Sequence, residues 1–131
     1  MITLDTHIII WDALQPGKIS RTARKRIDQE KDSGEIIIAD ISLWEISMLI
    51  KKQKLKIGKP YLEFIQLIQM ANHYTFQNIT PEIADLSVSL PADLSLDPAD
   101  RLISATSIYH GAPLITADAN LRKSVDVQTI W

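Results

Sequence analysis

The sequence predicts an α/β fold: a mostly parallel, five-stranded sheet with helices on both faces. Three observations predict it. Short apolar segments of strand length alternate with helix-compatible segments in the order β-α-α-β-α-α-β-α-α-β-α-β. Parallel strands joined in this way need right-handed helical crossovers, which cover both sides of the sheet. Ile36-Ile37-Ile38-Ala39 is apolar at every position, the pattern of a strand buried on both faces. With 131 residues, 46% of them hydrophobic, the chain is long enough for one packed domain over residues 1–131.

Each element has its own signal. Ile2-Thr3-Leu4 is a short strand, followed by Asp5 and a helix-compatible run from His7 to Leu14 that Gln15-Pro16-Gly17 ends. Ser20 caps a charged helix running to about Lys31, closed by Ser33-Gly34. After the strand at 36–39, a helix is expected from Ser42 to Lys54. Pro60 opens the next helix, and Tyr61, Leu62, Ile65, Ile68 and Met70 give it an apolar face through Ala71. Thr75 to Ile79 reads as a strand. Thr80-Pro81-Glu82 combines a cap, a proline at the first helical position and an acid in the first turn; its helix ends before Pro91. Asp97-Pro98-Ala99-Asp100 repeats that signal and starts a helix to about His110, stopped by Gly111. Strands at 113–116 and 127–130 flank a helical turn near Asn120-Lys123.

Composition excludes several function classes. With no cysteine, the chain has no disulfide scaffold, thiolate zinc site, iron–sulfur cluster or cysteine nucleophile. No uninterrupted apolar run exceeds four residues, far below the roughly 20 needed to span a bilayer. The first residues carry no basic segment of the signal-peptide kind, so a soluble, cytoplasmic protein without a membrane partner is expected. No Gly-x-Gly-x-x-Gly or Gly-x₄-Gly-Lys-Ser/Thr motif is present, which removes dinucleotide and P-loop readings.

The net charge of −2 hides an asymmetry. Residues 18–59 hold 11 basic and 6 acidic residues, whereas 60–131 hold 3 and 8. The basic stretch suits polyanion contact, or else Arg21, Arg24, Lys25 and Arg26 simply coat a solvated helix.

The acids are the more informative half. Ligands of an open parallel sheet bind beyond the carboxyl ends of its strands. Asp5 directly follows the first strand, Glu45 opens the helix after the second, and Asp118 follows the fourth by two residues. The place of Asp100 does not follow from pattern, because its helix follows a helix. Each acid also has a plain structural use. Asp5, Asp97 and Asp118 suit N-caps, Asp100 suits a helix dipole, and Ser42-Leu43-Trp44-Glu45 has capping-box spacing. Against the last, Glu45 is the only charge in residues 41–50, so its carboxylate needs a cation from elsewhere. Two like charges at about 4 Å repel by about 4 kcal/mol at an effective dielectric of 20, so gathered carboxylates take up protons or bind a cation. Oxygen ligands alone favour Mg²⁺ or Mn²⁺ over zinc, and such a site suits phosphodiester hydrolysis.

Four segments carry a family resemblance: Leu4-Asp5-Thr6-His7, Ile41-Ser42-Leu43-Trp44-Glu45-Ile46, Asp97-Pro98-Ala99-Asp100-Arg101-Leu102-Ile103-Ser104-Ala105-Thr106, and His110-Gly111-Ala112-Pro113-Leu114-Ile115-Thr116-Ala117-Asp118. In order and spacing the chain resembles a PIN domain, and within that family the VapC-type toxins of type II toxin–antitoxin pairs. The resemblance implies a three-layer α/β/α sandwich and a Mg²⁺- or Mn²⁺-dependent endoribonuclease acting on RNA. It matches Asp5, Glu45, Asp100 and Asp118 to the family's acidic quartet, as catalytic and metal-holding residues. Thr116 matches the family's hydroxyl residue; Thr6, Ser42 and Asp97 are supporting candidates, Asp97 mainly as a cap. Arg101, Arg21, Arg24 and Lys25 are candidates for RNA phosphates. A small antitoxin partner and a homodimer, with larger toxin–antitoxin assemblies, are also implied. Where many relatives carry a histidine ahead of the Asp-Pro-x-Asp-Arg motif, this chain reads Leu94-Ser95-Leu96, a departure that bears on substrate contacts rather than on the chemistry.

Competing readings fare less well. A phospho-receiver needs paired acids near the first strand and a phospho-acceptor Asp after the third, and Asn78-Ile79-Thr80 has none. An Asp-x-Asp phosphatase fails because His7 holds the second acidic position. A catalytically silent domain of the same fold, serving as an antitoxin-binding or regulatory module, is the alternative that remains.

Overall fold

The computed structural model describes residues 1–131. In chain order it comprises β1 (Ile2–Leu4), α1 (Thr6–Leu14), a 3₁₀ turn (Pro16–Lys18), α2 (Arg21–Ser33), β2 (Ile36–Ala39), α3 (Ile41–Lys51) and α4 (Tyr61–Ala71). There follow β3 (Tyr74–Gln77), α5 (Pro81–Ser89), α6 (Pro98–His110), β4 (Leu114–Ile115), α7 (Ala119–Lys123) and β5 (Thr129–Ile130). The element order is the one the sequence predicts. All four strand pairings are parallel, in the order β3-β2-β1-β4-β5.

That order places β1 at the centre and makes the β1–β4 seam the point where the connections reverse direction. The region beyond the ends of β1 and β4 is therefore the usual ligand position in an open α/β sheet. Backbone pairing runs past the strand ends there, with Asp5 N–H donating to Ile115 O at 3.1 Å and Thr116 N–H to Ile130 O at 3.3 Å.

Strand alternation divides the core into two layers. Ile2, Leu4, Ile36, Ile38 and Ile115 face α1–α4 and pack with Ile8, Ile9, Ala23, Ile27, Ile46, Phe64 and Ile68. Ala39 and Leu114 face the other way, joining Ile83, Ile103, Ala105 and Leu121. The helices sandwich the sheet because both of its faces are apolar.

The caps act as their sequence signals suggest. Ser20, Thr80 and Asp97 accept from the backbone N–H groups of Ala23, Ile83 and Ala99. Gly111 ends α6 at φ 60°, in the left-handed region that favours glycine. Several boundaries differ. α3 stops at Lys51 rather than Lys54, since Gln53 takes φ 58° and the N–H groups of Lys54 and Leu55 both turn back to Leu49 O. This exit lets Leu55 and Ile57 pack on the core. β3 ends at Gln77, where its pairing with Ala39 ends, rather than at Ile79. β4 and β5 are two residues each, because only two positions pair on that side of the sheet.

Ile103 is fully buried in the layer beneath α6. Ile103→Ala is expected to cost about 2–5 kcal/mol, measured by urea unfolding; a cost under about 1 kcal/mol would contradict this packing.

Candidate metal centre

Asp5 is the first residue past β1 and the N-cap of α1, buried to 3% exposure. Its Oδ1 accepts from Thr6 N–H at 2.8 Å and its Oδ2 from the Thr116 hydroxyl at 2.6 Å. Thr116, fully buried just after β4, also accepts from Asp118 N–H at 3.0 Å. Asp118 in turn caps α7, its Oδ1 accepting from the N–H groups of Asn120 and Leu121. One hydroxyl thus locks the ends of β1 and β4 together and fixes two carboxylates on the seam.

Glu45 reaches the same place from α3. Thr6 Oγ1 lies 2.5 Å from Glu45 Oε1 and 2.9 Å from Ser42 Oγ. A hydroxyl has one proton, so Thr6 donates to the ionised carboxylate and accepts from Ser42. The capping box suggested by the Ser42–Glu45 spacing is not formed: α3 begins one residue earlier, with Asp40 in the cap position, so Ser42 lies inside the helix. Asp100 comes from the first turn of α6, its Oδ2 accepting from Ser95 Oγ at 2.9 Å.

Electrostatics tie these groups together. Burial, opposed by the Thr6 hydrogen bond and reinforced by Asp97, Asp5 and Asp100, pushes the Glu45 carboxyl up to about 7. Burial, opposed by Ser95 and reinforced by Asp5, Asp97 and Asp118, pushes Asp100 up to about 6. Against this accumulated negative charge the protein sets no Lys or Arg. None of its five ion pairs touches the group; the nearest basic side chain is His7, with Nδ1 3.6 Å from Asp5 Oδ2. No three of the acids close into a ready-made coordination shell. Mutual repulsion with no counter-charge keeps such groups apart. The donor set is nonetheless one that fits a small hard cation: carboxylate oxygen atoms with no Lys or Arg beside them, two of them on carboxyls that burial has raised.

Sequence reasoning left two supporting residues unassigned. His7 Nε2 accepts from Ala117 N–H at 3.2 Å, so its Nδ1 carries the proton and faces Asp5. Ser95 holds Asp100 and also accepts from Asp97 N–H, at 3.1 Å. Its only signal was the departure at 94–96.

Two phosphate candidates are committed elsewhere. The Arg101 guanidinium donates to the carbonyls of Ser87, Pro91 and Ser95 at 3.0 Å each, and to that of Leu90. It ties the α5–α6 connection instead of facing solvent. Arg24 pairs with Asp12 at 2.8 Å and with Asp28 at 3.4 Å. Arg21 and Lys25 stay exposed on α2.

Comparison with known proteins agrees with this geometry. Residues 2–125 match the PIN domain family model. A curated relative, Ribonuclease VapC22 of Mycobacterium tuberculosis, is 36% identical over 99% of this chain and 98% of its own length. The chain belongs to the PIN-domain family. Solved structures share the fold. The VapBC2 complex of Rickettsia felis bound to a promoter DNA fragment superposes with a TM-score of 0.73 at 16% identity, over 98% of this chain and 97% of that one. A toxin–antitoxin complex from Klebsiella pneumoniae gives 0.67 at 22% identity, with the same coverage of both chains.

The raised carboxyls of this PIN domain make its stability depend on pH. The folded chain holds protons on Glu45 to about 7 and on Asp100 to about 6, above the unfolded values of 4.5 and 3.8. Between those limits the folded state binds more protons, so metal-free stability falls as pH rises from about 4 to about 7. A bound cation competes with those protons. Mg²⁺ is therefore expected to raise the melting temperature by several degrees at pH 8 and by less at pH 5, in paired thermal scans. An equal shift at both pH values would contradict the coupling.

Proposed function

We propose that this PIN domain, one unit over residues 1–131, is a metal-dependent endoribonuclease and the toxin of a type II toxin–antitoxin pair. The observation that carries the reading is the uncompensated set of carboxylates at the β1–β4 seam. It is supported by membership of the PIN family and by near-full-length similarity to a protein named as a ribonuclease. Asp5, Asp100 and Asp118 hold one or two divalent ions, Mg²⁺ or Mn²⁺, and Glu45 completes the shell or takes a proton. The ion, when bound, activates water, polarises the phosphate and steadies the leaving oxygen.

The chain's own groups do the rest. Thr6 occupies Glu45 Oε1, which leaves Oε2 free to accept a proton from the attacking water. A carboxyl poised near 7 changes protonation state at working pH, which suits that task. Thr116 keeps Asp5 and Asp118 in register through the cycle. Water adds to phosphorus and one P–O ester bond breaks, giving two shorter strands.

An antitoxin partner is supported by the toxin–antitoxin complexes among the structural neighbours. Leu62 and Met70 of α4, 78% and 75% exposed, offer apolar surface to such a protein or to a second copy in a homodimer. No helix is long and apolar enough to cross a membrane; a cytoplasmic site of action is part of the proposed toxin role.

Asn caps a helix as well as Asp does, so Asp5→Asn keeps the fold while removing a charge. It is expected to lower RNA cleavage by more than about 100-fold, whereas Thr6→Val, which touches only the support, costs about 10–100-fold. Gel assays on total RNA with Mg²⁺ check both. Full activity of Asp5→Asn, or of the wild type in EDTA, would contradict the mechanism; antitoxin binding with no cleavage at all would favour the silent module.

A further inference from the structure

The basic stretch over residues 18–59 divides into two unlike halves. On α2, Arg24 and Lys31 are paired with Asp12, and Arg26 with Glu30. In the α3 exit and the following loop, Lys51, Lys52, Lys54, Lys56 and Lys59 are all exposed, and none is paired with an acid. Residues 46–62 contain no Asp or Glu. The segment is held in shape, because Leu55 and Ile57 pack on the core while Lys54, Lys56 and Lys59 point out.

The position of its first two lysines relative to the carboxylates follows from helix geometry, and the others continue from there along the chain. Lys52 lies seven residues beyond Glu45, two turns or about 10 Å further along the same face of α3. Lys51 lies seven beyond Trp44, on the adjacent line. Trp44 is 57% exposed, unusual for so large an aromatic side chain. A phosphodiester approaching a negative cluster is repelled unless cations beside it compensate. An aromatic face next to those cations is the combination that holds single-stranded nucleic acid, by base stacking and phosphate pairing.

We propose that the α3–α4 segment is a track for single-stranded RNA, with Trp44 stacking a base and Lys51, Lys52, Lys54, Lys56 and Lys59 lining up the phosphates that lead to the carboxylate seam. The inference rests on the ribonuclease reading and names the surface that delivers its substrate. Arg21 and Lys25 are exposed and unpaired too, but they share α2 with Asp28, Glu30 and Asp32, so they are not part of the track.

The test is fluorescence anisotropy of the full chain with a labelled 20-nucleotide oligouridine, in EDTA so that binding is read without cleavage. Replacing all five lysines with Gln is expected to weaken binding more than tenfold. It should also flatten the log K against log salt slope by about 3, given about 0.7 per phosphate contact on single strands. Trp44→Leu should weaken binding about fivefold or more while Trp44→Phe keeps it, a pattern that lost packing alone does not give. R21Q/K25Q should change the affinity less than twofold. Circular dichroism verifies that each variant is folded, and the pairs K51Q/K52Q and K54Q/K56Q stand in for the fivefold variant if it is not. The proposal is overturned if the lysine variants bind with wild-type affinity and slope, or if R21Q/K25Q loses as much as they do. It is also overturned if poly-L-glutamate binds the wild type as tightly as oligouridine and is lost with the same lysines, which marks an acidic protein partner. Failure of the ribonuclease reading shows separately, as absence of cleavage by the wild type with Mg²⁺.

Discussion

Negative charge that the protein gathers but does not neutralise is the constraint on which the rest of this structure depends. Glu45 feels the charges of Asp5, Asp97 and Asp100, Asp100 feels those of Asp5, Asp97 and Asp118, and no Lys or Arg meets any of the five. Folding tolerates this because three of the five sit at helix N-caps, on α1, α6 and α7. The N-terminus of a helix carries roughly half a positive charge and free N–H donors, so those acids are solvated by backbone. Glu45, five residues into α3, has only one hydroxyl, and it is the group pushed furthest up. Capping and a place at the seam are therefore not rival readings: Asp5 caps α1 through Oδ1 while its Oδ2 meets Thr116 on the seam.

The strand order turns that local chemistry into a site. Because β1 is central and β4 joins it on the side away from β2, the residues after both strands emerge next to one another. Thr116 then bridges Asp5, 111 positions away in sequence, and Asp118 with one hydroxyl. The site is an open edge, which suits a polymer that must lie across it. The cleft of 410 Å³ lined by Asp12, Lys31, Phe64, Ile68 and Tyr74 contains none of the five acids.

Much of this was legible in the sequence, for reasons that differ by residue. Asp5 and Asp118 could be placed because one follows its strand directly and the other within a few residues, and parallel topology fixes which edge a strand end faces. Ser20, Thr80 and Asp97 announced their helices through local hydrogen bonding that needs no tertiary context. Asp100 could not be placed, since its approach depends on how α5 and α6 fold against each other, a turn that Arg101 ties through four carbonyls. Arg101 and Arg24 look like free cations in sequence because their partners are distant carbonyls or acids. The Ser42–Glu45 spacing fitted a capping box, but the helix starts at Ile41, so the same two side chains turn toward Thr6 instead. The free lysines at 51–59 and the paired Arg24, Arg26 and Lys31 of α2 are likewise indistinguishable until their neighbours are known.

The most direct test is a carboxyl ¹³C NMR titration of Glu45 and Asp100, in metal-free protein and again with Mg²⁺. The account predicts metal-free midpoints near 7 and 6, both displaced downward once Mg²⁺ is present. Midpoints near the ordinary carboxylate values of about 4, indifferent to Mg²⁺, would contradict it.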